Sequence, residues 1–519
     1  MSTASAAVTA IAAAPPTPAH DLLIVGAGIN GAGIARDAAG RGLKVLVVEQ
    51  DDIASATSSW STKLVHGGLR YLEHYEFRLV RESLAEREVL LHAAPHLVRP
   101  LSFVLPHEPH LRPAWMIRAG LFLYDHLGRR ERLPASFAVD LQHSEWGAGL
   151  KPRFARGFVY ADARVDDARL VVVNLFSARE LGADVRTRTR FQGAQRRDGV
   201  WHATLVPRDG GSVEVQARAI VNAGGPWVKR VRDTITAAPS REKVRHVQGS
   251  HIVVPRVHAG DHAYILQNAD KRIVFVIPYH EDYSLIGTTD LAVDEYEHPR
   301  ISDGEVDYLL DIANAYLAKP LTRAEIVWSY AGVRPLYDDG ADDPSAITRD
   351  YVLRLDVAPG ARSTPSLSIF GGKLTTYRKL AEHALAELAP FFPDMKKSWT
   401  ATAALPGGDV PDGDLAAFEK KTAVQFAHLP GDVVRGIVRR HGTRAVALLE
   451  PITHPRALGR RFGAGLTALE IDYLMREEWA LTAEDVLWRR TKAGLGMGAV
   501  ERNAVATYVE RTLAQGKLA

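Results

Sequence analysis

Short unbroken apolar runs, each closed by glycine and followed by a helical stretch, mark the start of the chain. Asp21–Val25 is one such run and fits a buried parallel strand. Gly26-Ala27-Gly28-Ile29-Asn30-Gly31 follows, an Ala-rich helical stretch extends through Arg41, and Leu43–Val48 reads as a second buried strand ending at Glu49. This order predicts a complete βαβ unit with its turn glycines between strand and helix. Arg218–Trp227 reads as a strand running into a Gly-Pro turn, and His251–Pro255, Lys271–Tyr279 and Tyr283–Thr289 as strands of an antiparallel sheet, rich in β-branched residues and bounded by turn residues. Ser368–Phe370 is another short strand, closed by Gly371-Gly372 and followed by a predicted helix from about Leu374 to Leu388. A strand–glycine–helix junction this late implies that distant parts of the chain complete the first domain. Beyond Pro393 the texture changes. Gly407-Gly408 and Pro411 mark a linker; Leu466, Leu469 and Tyr473 then fall on one helical face, and Thr482 with Asp485 forms a capping box ahead of Val486-Leu487-Trp488. Residues 396–519 are expected to form a separate helical domain.

Composition narrows the functional classes. The chain has 519 residues, enough for two to four domains at roughly 100–200 residues each. A net charge of +3 is too small to imply a nucleic-acid partner. There are no cysteines, which excludes disulfides, thiolate zinc sites, iron–sulfur clusters and a redox-active thiol. Electrons handled by such a chain must sit on an organic cofactor, and no metal site is expected. The lack of cysteine fits a reducing cytosol. Met1–His20, rich in Ala, Thr and Pro, reads as a disordered extension without the basic region of a secretory signal. No stretch approaches the run of about 20 apolar residues that spans a bilayer.

The glycine fingerprint carries the first chemistry. Gly26 permits a tight turn, Gly28 lets the backbone approach a pyrophosphate, and Gly31 lets helix and strand pack closely. Glu49, 18 positions beyond Gly31, supplies a carboxylate for the ribose hydroxyls of an adenosine. The fingerprint alone does not separate NAD from FAD. Ala56–Leu72 follows, with hydroxyls, Lys63, His66 and the Gly67-Gly68 pair suited to a backbone lying against a flat ring and an anion. A second, basic constellation comprises Arg334 in Tyr330–Leu336, Arg349 in Ile347–Asp350 and Lys373 after Gly371-Gly372. A guanidinium fork suits a phosphate, but each of these residues taken alone is more often a solvated charge, and spacing does not show that they converge.

Asp21–Leu91, Asn222–Trp227, Gly249–Arg256, Lys271–Asp290, Tyr330–Tyr351 and Phe370–Leu385 resemble the respiratory FAD-dependent glycerol-3-phosphate dehydrogenases, most specifically in Lys63–Arg78 and Gly371–Glu382. The similarity runs from about residue 21 to 390 and extends, less sharply, to Leu487–Lys492. It implies a Rossmann-like FAD-binding domain interleaved with an antiparallel β-sheet substrate domain, D-amino-acid-oxidase-like, plus a C-terminal all-α domain. The FAD part is expected at about 21–100, 155–240 and 345–395, and the substrate part at about 101–154 and 241–344. By this resemblance Gly26, Gly28, Gly31 and Glu49 hold the ADP half of FAD. Ser58, Ser59, Lys63, His66, Gly67 and Gly68 run beside pyrophosphate and isoalloxazine. Gly371, Gly372, Leu374 and Thr375 cap the pyrimidine end of the flavin. Arg70, Tyr71, Thr288, Arg334, Arg349 and Lys373 surround the substrate, with the arginines and Lys373 at its phosphate, and His251 lies near its hydroxyl.

The implied reaction oxidises the C2 hydroxyl of sn-glycerol 3-phosphate by hydride transfer to the flavin, giving dihydroxyacetone phosphate, with His251 or His66 as base and Arg334 and Lys373 stabilising charge. The implied acceptor is a membrane quinone, reached by peripheral association with the inner face of the cell membrane; a homodimer is also compatible. Arg112–Tyr124, apolar and aromatic with Arg112 and Arg118, is a candidate membrane contact, although its pattern alone slightly favours a core helix. Two departures stand out: Gly224 where the family often has Thr or Ser, and Trp60 at a position usually small. The competing readings are an oxidase that makes hydrogen peroxide, a relative acting on amino acids, and a non-catalytic flavin-binding module.

Overall fold

The computed structural model describes residues 19–108, 112–235, 242–268, 272–338, 350–357 and 364–516. Two large sheets divide the body of the molecule. In the first, His20–Val25 lies at the centre, parallel to Val45–Val48 on one side and to Val213–Asn222 on the other. Ser366–Phe370 adds in parallel beyond Val213–Asn222, and Val352–Asp356 closes that edge antiparallel. Alternation along the strands splits their side chains between two layers. Leu22 and Ile24 pack under the helices Ile29–Gly40, Asp167–Glu180 and Tyr377–Leu388, while Leu23 and Val25 face Trp201 and Leu205 of the hairpin Thr189–Arg197/Val200–Pro207. Residues from three distant stretches therefore build one dinucleotide-type layer, as the late strand–glycine–helix junction implied.

The second sheet runs Leu291–Ala292, Lys243–Pro255, Tyr283–Gly287, Ile273–Tyr279, His262–Gln267, Val98–His107, Arg156–Val165 and Leu64–Val65, with Trp328–Asp338 against Lys243–Pro255. It is antiparallel except where His262–Gln267 meets Val98–His107. Leu64–Val65 and Arg156–Val165 belong here, although both fall in stretches expected to form the FAD part. They are the strands that carry the chain from one layer to the other. One face of the sheet is covered by Asp303–Tyr316, through Leu309 and Ala313, and the other by Phe77–Ala93 and Ala114–Leu127, through Leu84, Leu121 and Tyr124.

The C-terminal region is helical but not wholly so. Leu466, expected on a helix face with Leu469 and Tyr473, instead sits in a two-stranded hairpin, Arg461–Gly463 with Leu466–Thr467; the helix is Ala468–Glu477. Thr482 and Asp485 exchange the two bonds of a capping box, Asp485 N–H to Thr482 Oγ1 at 3.2 Å and Thr482 N–H to Asp485 Oδ2 at 2.9 Å. Met1–Pro18, most of the expected N-terminal extension, lies outside the described residues, and the first strand begins at His20. No helix among the described residues is long and apolar enough to cross a membrane.

Candidate active site

The fingerprint turn is held by backbone packing that only glycine permits. Gly26 has φ +106°, and a Cβ there would sit 2.6 Å from the Ala223 carbonyl oxygen; one at Gly31 would sit 2.0 Å from the Gly26 carbonyl oxygen. A Cβ at Gly28 would meet only Ser58 Oγ, at 3.1 Å. That hydroxyl accepts the Ile29 N–H at 3.0 Å, so Ser58 ties the loop after Glu49 to the start of the helix Ile29–Gly40. The remaining first-turn amides have no partner within a helix and, with its dipole, favour an anion. Glu49 ends its strand with Oε2 accepting the Ala27 N–H at 2.9 Å and Oε1 the Asp51 N–H at 3.0 Å. It is half-buried. Its crevice pushes the carboxyl up to about 7 against those two amides, and hydroxyl donors in the crevice would stabilise the ionised form.

The late glycines arrive beside this turn. Gly371 (φ +74°) and Gly372 (φ +101°) follow Ser366–Phe370, and Asn30 Nδ2 donates to the Gly371 carbonyl at 3.1 Å. Asn30 Oδ1 is buried with no hydrogen-bond partner among the described residues. The expected helix start at Leu374 is corrected to Tyr377, because the left-handed glycines prolong the turn and the Thr376 N–H bonds the Lys373 carbonyl at 3.2 Å. Leu374 and Thr375 thus lie ahead of the helix, and Thr375 Oγ1 accepts the His66 N–H at 3.3 Å.

Around this junction the substrate candidates gather. Lys373 Nζ stands 4.1 Å from the centre of the Tyr71 ring and is buried with no hydrogen-bond partner among the described residues. Tyr71 packs against Gly68, where a Cβ would lie 2.3 Å from its ring and φ is +75°. Neighbouring Arg70 is half-exposed. Gly67 N–H bonds the Tyr124 hydroxyl at 2.9 Å, and that hydroxyl donates to Asp162, itself paired with Arg87 at 2.6 Å. From the other sheet, Arg334 pairs with Asp290 and donates to Thr288 Oγ1 at 3.3 Å; both Arg334 and Thr288 crowd the backbone at Gly249. Arg334 is followed by Pro335, whose carbonyl faces Gly371. His251 stacks on Tyr330 at 4.8 Å, its Nε2 lies 3.0 Å from Thr62 Oγ1, and its Nδ1 is buried without a partner among the described residues. Burial pushes His251 well down, with Lys63 and Arg334 adding to it. Burial also lowers His66, opposed by Asp162 and reinforced by Lys373. Both imidazoles are therefore neutral near pH 7.

Two expected residues behave differently. Lys63 commits its ammonium to protein partners: with φ +61° it buries Nζ on Asp167 Oδ2 at 2.6 Å and on the Ser59 carbonyl at 2.5 Å, over the Tyr330 ring. Its backbone is engaged as well, the N–H donating to Ser61 Oγ at 3.0 Å and the carbonyl accepting the Val165 N–H at 2.9 Å, so Lys63 braces the loop. Ser59 is buried, its hydroxyl 3.4 Å from the Ala56 carbonyl. Arg349 lies outside the described residues. Trp60 fills space between Trp328, Tyr330 and Gly332, and its indole N–H donates to the Ser55 carbonyl at 3.3 Å, so it braces the loop behind the site. Gly224 accommodates the Asn222 side chain, whose Oδ1 accepts its N–H at 3.2 Å. Asn30, Thr62 and the Tyr124–Asp162 pair were not anticipated. Asn30 had a signal, lying inside the fingerprint; the others act through contacts far apart in sequence.

The glycine turn, the ribose-side carboxyl and the orphaned buried polar atoms together fit a dinucleotide with a flat ring at its far end. The family profile described as "FAD dependent oxidoreductase" matches residues 21–378, and one described as "C-terminal domain of alpha-glycerophosphate oxidase" matches 398–515. The chain belongs to the FAD-dependent oxidoreductase family. It is 53% identical to a glycerol-3-phosphate dehydrogenase of Pseudomonas aeruginosa, over 96% of each chain. It is also 50% identical to the aerobic glycerol-3-phosphate dehydrogenase of Escherichia coli and 48% to a D-erythritol 1-phosphate dehydrogenase of Brucella abortus, in both cases over 94% of this chain and 97% of the relative. The solved glycerol-3-phosphate dehydrogenase of Bacillus halodurans, complexed with FAD, superposes with a TM-score of 0.73 at 25% identity, covering 96% of this chain and 91% of that one. FAD is the cofactor.

Proposed function

We propose that the protein oxidises sn-glycerol 3-phosphate to dihydroxyacetone phosphate and delivers the electrons to a membrane quinone. The observation that carries the reading is the buried Lys373 ammonium, which has no hydrogen-bond partner among the described residues and lies over Tyr71 beside Arg70. An unpaired buried cation is costly unless an anion completes it, and a substrate phosphate is such an anion. Arg334, set on Thr288, presents a second cation from the opposite sheet, and Arg349 is proposed as a third. The names of the relatives support a polyol phosphate substrate.

FAD supplies the hydride acceptor and the electron store. The chain orients its partners. Gly28 leaves room for the pyrophosphate, Gly26 and Gly31 permit the tight turn and close packing that present it, and Glu49 accepts from the ribose. The backbone at Ser58, Ser59, Lys63, Gly67 and Gly68, with Gly371, Gly372, Leu374 and Thr375, lines the ring. Two neutral imidazoles, His66 and His251, are the proton acceptors for the substrate hydroxyl; separate His66→Asn and His251→Asn variants tell which one acts. Peripheral attachment is supported by Ala114–Leu127. Read alone, its sequence slightly favoured a core helix, yet only Leu121 and Tyr124 are buried, while Trp115 is 70% and Phe122 60% exposed, with Met116 and Leu123 beside them. This is the profile of a helix lying in a membrane interface, and it suits a lipid-soluble acceptor on the cytoplasmic face.

The test is the visible spectrum of the FAD-loaded protein, without oxygen, before and after sn-glycerol 3-phosphate. Bleaching of the flavin band is the expected result. A band that persists with this substrate but bleaches with D-erythritol 1-phosphate overturns the substrate assignment while keeping the phosphate site. Peroxide formed in air at the rate of quinone reduction favours the oxidase reading instead.

A further inference from the structure

The C-terminal region meets the FAD layer through an unusually dense charged contact. Asp52 stands three residues after Glu49 and is buried. Its carboxylate accepts from Arg490 Nη1 at 2.7 Å and Nη2 at 2.8 Å, from Arg489 Nε at 2.6 Å and from Arg188 Nη1 at 2.9 Å. Arg490 is wholly buried and also donates to the Glu478 carbonyl. Asp485 completes the cluster, accepting from Arg188 and Arg489, each at 2.5 Å. The same Arg188 donates its backbone N–H to the Asp51 carbonyl at 3.0 Å, and the Thr189 N–H bonds the Glu49 carbonyl at 2.7 Å. Downstream, the Ser55 N–H bonds the Asp52 carbonyl and the Ala54 N–H returns to Ala27 in the fingerprint turn. The segment from the ribose carboxylate to Ser58 is thus gripped near its midpoint by side chains 437 and 438 residues away.

We propose that the C-terminal domain is a positioning element for FAD: Arg489 and Arg490, through Asp52, hold the Glu49–Ser58 segment in the shape that binds the cofactor. The inference rests on Glu49 facing the ribose. Asp52 itself touches no cofactor group in this scheme; it acts through Glu49 on one side and Ser58 on the other. A bidentate guanidinium fixes both distance and orientation of its carboxylate, which a purely hydrophobic contact between domains would not do.

The experiment compares full-length Asp52→Asn, Arg490→Lys, Glu49→Gln and Glu470→Gln. FAD is stripped and the dissociation constant measured by FAD fluorescence well below the melting temperature of each apoprotein. Glu470 is a control: it is fully buried in the C-terminal domain, takes Arg440 at 2.6 Å through both oxygens and His441 at 3.0 Å, and among the described residues makes no hydrogen bond to Asp52, Arg489 or Arg490. Asp52→Asn and Arg490→Lys should each weaken FAD at least about tenfold, while Glu470→Gln should lower the melting temperature and leave the FAD constant within about twofold. If Asp52→Asn does not fold, Arg490→Lys decides alone. Unchanged FAD affinity in the clamp variants, with Glu49→Gln weakened, overturns the clamp and keeps the ribose assignment. Unchanged affinity in Glu49→Gln overturns the ribose assignment and the clamp with it. Equal loss in Glu470→Gln reduces the effect to general stability and also overturns the proposal.

Discussion

Replacing Lys373 with Met separates what the site does for function from what it does for stability. The ammonium is buried over Tyr71 without a hydrogen-bond partner among the described residues, so in the substrate-free protein the contact that favours it is the ring, worth about 0.5–2 kcal/mol. Against that stands the cost of burying an unpaired polar group, about 1–3 kcal/mol and more for a charge. Methionine keeps the stem's volume and removes both terms. Thermal stability without substrate should therefore hold or rise. With substrate, a charge-assisted hydrogen bond of about 1.5–3 kcal/mol is lost, which at 1.36 kcal/mol per decade is about a 10- to 150-fold fall in kcat/KM. Because the phosphate does not react, most of the fall should lie in KM. Anaerobic flavin-reduction kinetics and calorimetry of the same preparation check both halves. A melting temperature more than about 4 °C lower, with kcat/KM within threefold of the parent, would show that Lys373 is a structural cation and refute the reasoning.

Arg334→Lys keeps the charge but loses the fork that reaches Thr288 and Asp290 together; KM for glycerol phosphate should rise roughly tenfold with the flavin spectrum unchanged. Glu49 gives a pH test. Its carboxyl lies near 7 without cofactor, and ribose donors favour the ionised form, so the bound value falls below the free one. FAD affinity should then rise with pH up to about 7 and level off above it, and Glu49→Gln should flatten the profile in a fluorescence titration; a parent profile already flat below 7 contradicts the assignment. The double substitution Trp115→Ser, Phe122→Ser should cut co-sedimentation with anionic lipid vesicles roughly tenfold and spare the rate with a soluble dye acceptor. Equal sedimentation of both forms removes that helix from the membrane contact.

The cofactor half of the site was readable because its signals are local. A buried strand, three glycines and a carboxylate at fixed spacing are dictated by one βαβ unit. The strand closed by Gly371-Gly372 also implied that distant chain completes this layer, whereas the place of those glycines beside the flavin came only from the family resemblance. What failed to show were properties decided by long-range partners. Lys63 looks like an anion ligand until Asp167, 104 residues on, captures it. Leu64–Val65 and Arg156–Val165 are too generic as strands to announce which sheet they join. The periodicity of Ala114–Leu127 reveals an apolar face without its direction, and the pull of the core on Leu121 and Tyr124 leaves Trp115 and Phe122 outside. Leu466 was misread because two residues of strand followed directly by a helix mimic one longer helical face.

The interleaving of the chain also has a consequence for its biosynthesis. Asn30 bonds a carbonyl 341 residues further on, and Asp52 is held from 438 residues away. While the chain is still emerging from the ribosome, the fingerprint turn exists without the glycines that face it, and Asp52 has Arg188 within reach but not Arg489 or Arg490. Domains that are contiguous in sequence fold as they emerge; this one waits for its last pieces. Completion of the cofactor site therefore waits for the last part of the chain to be made. Until then Leu22 and Ile24 of the first strand lack the helix Tyr377–Leu388 that completes their core.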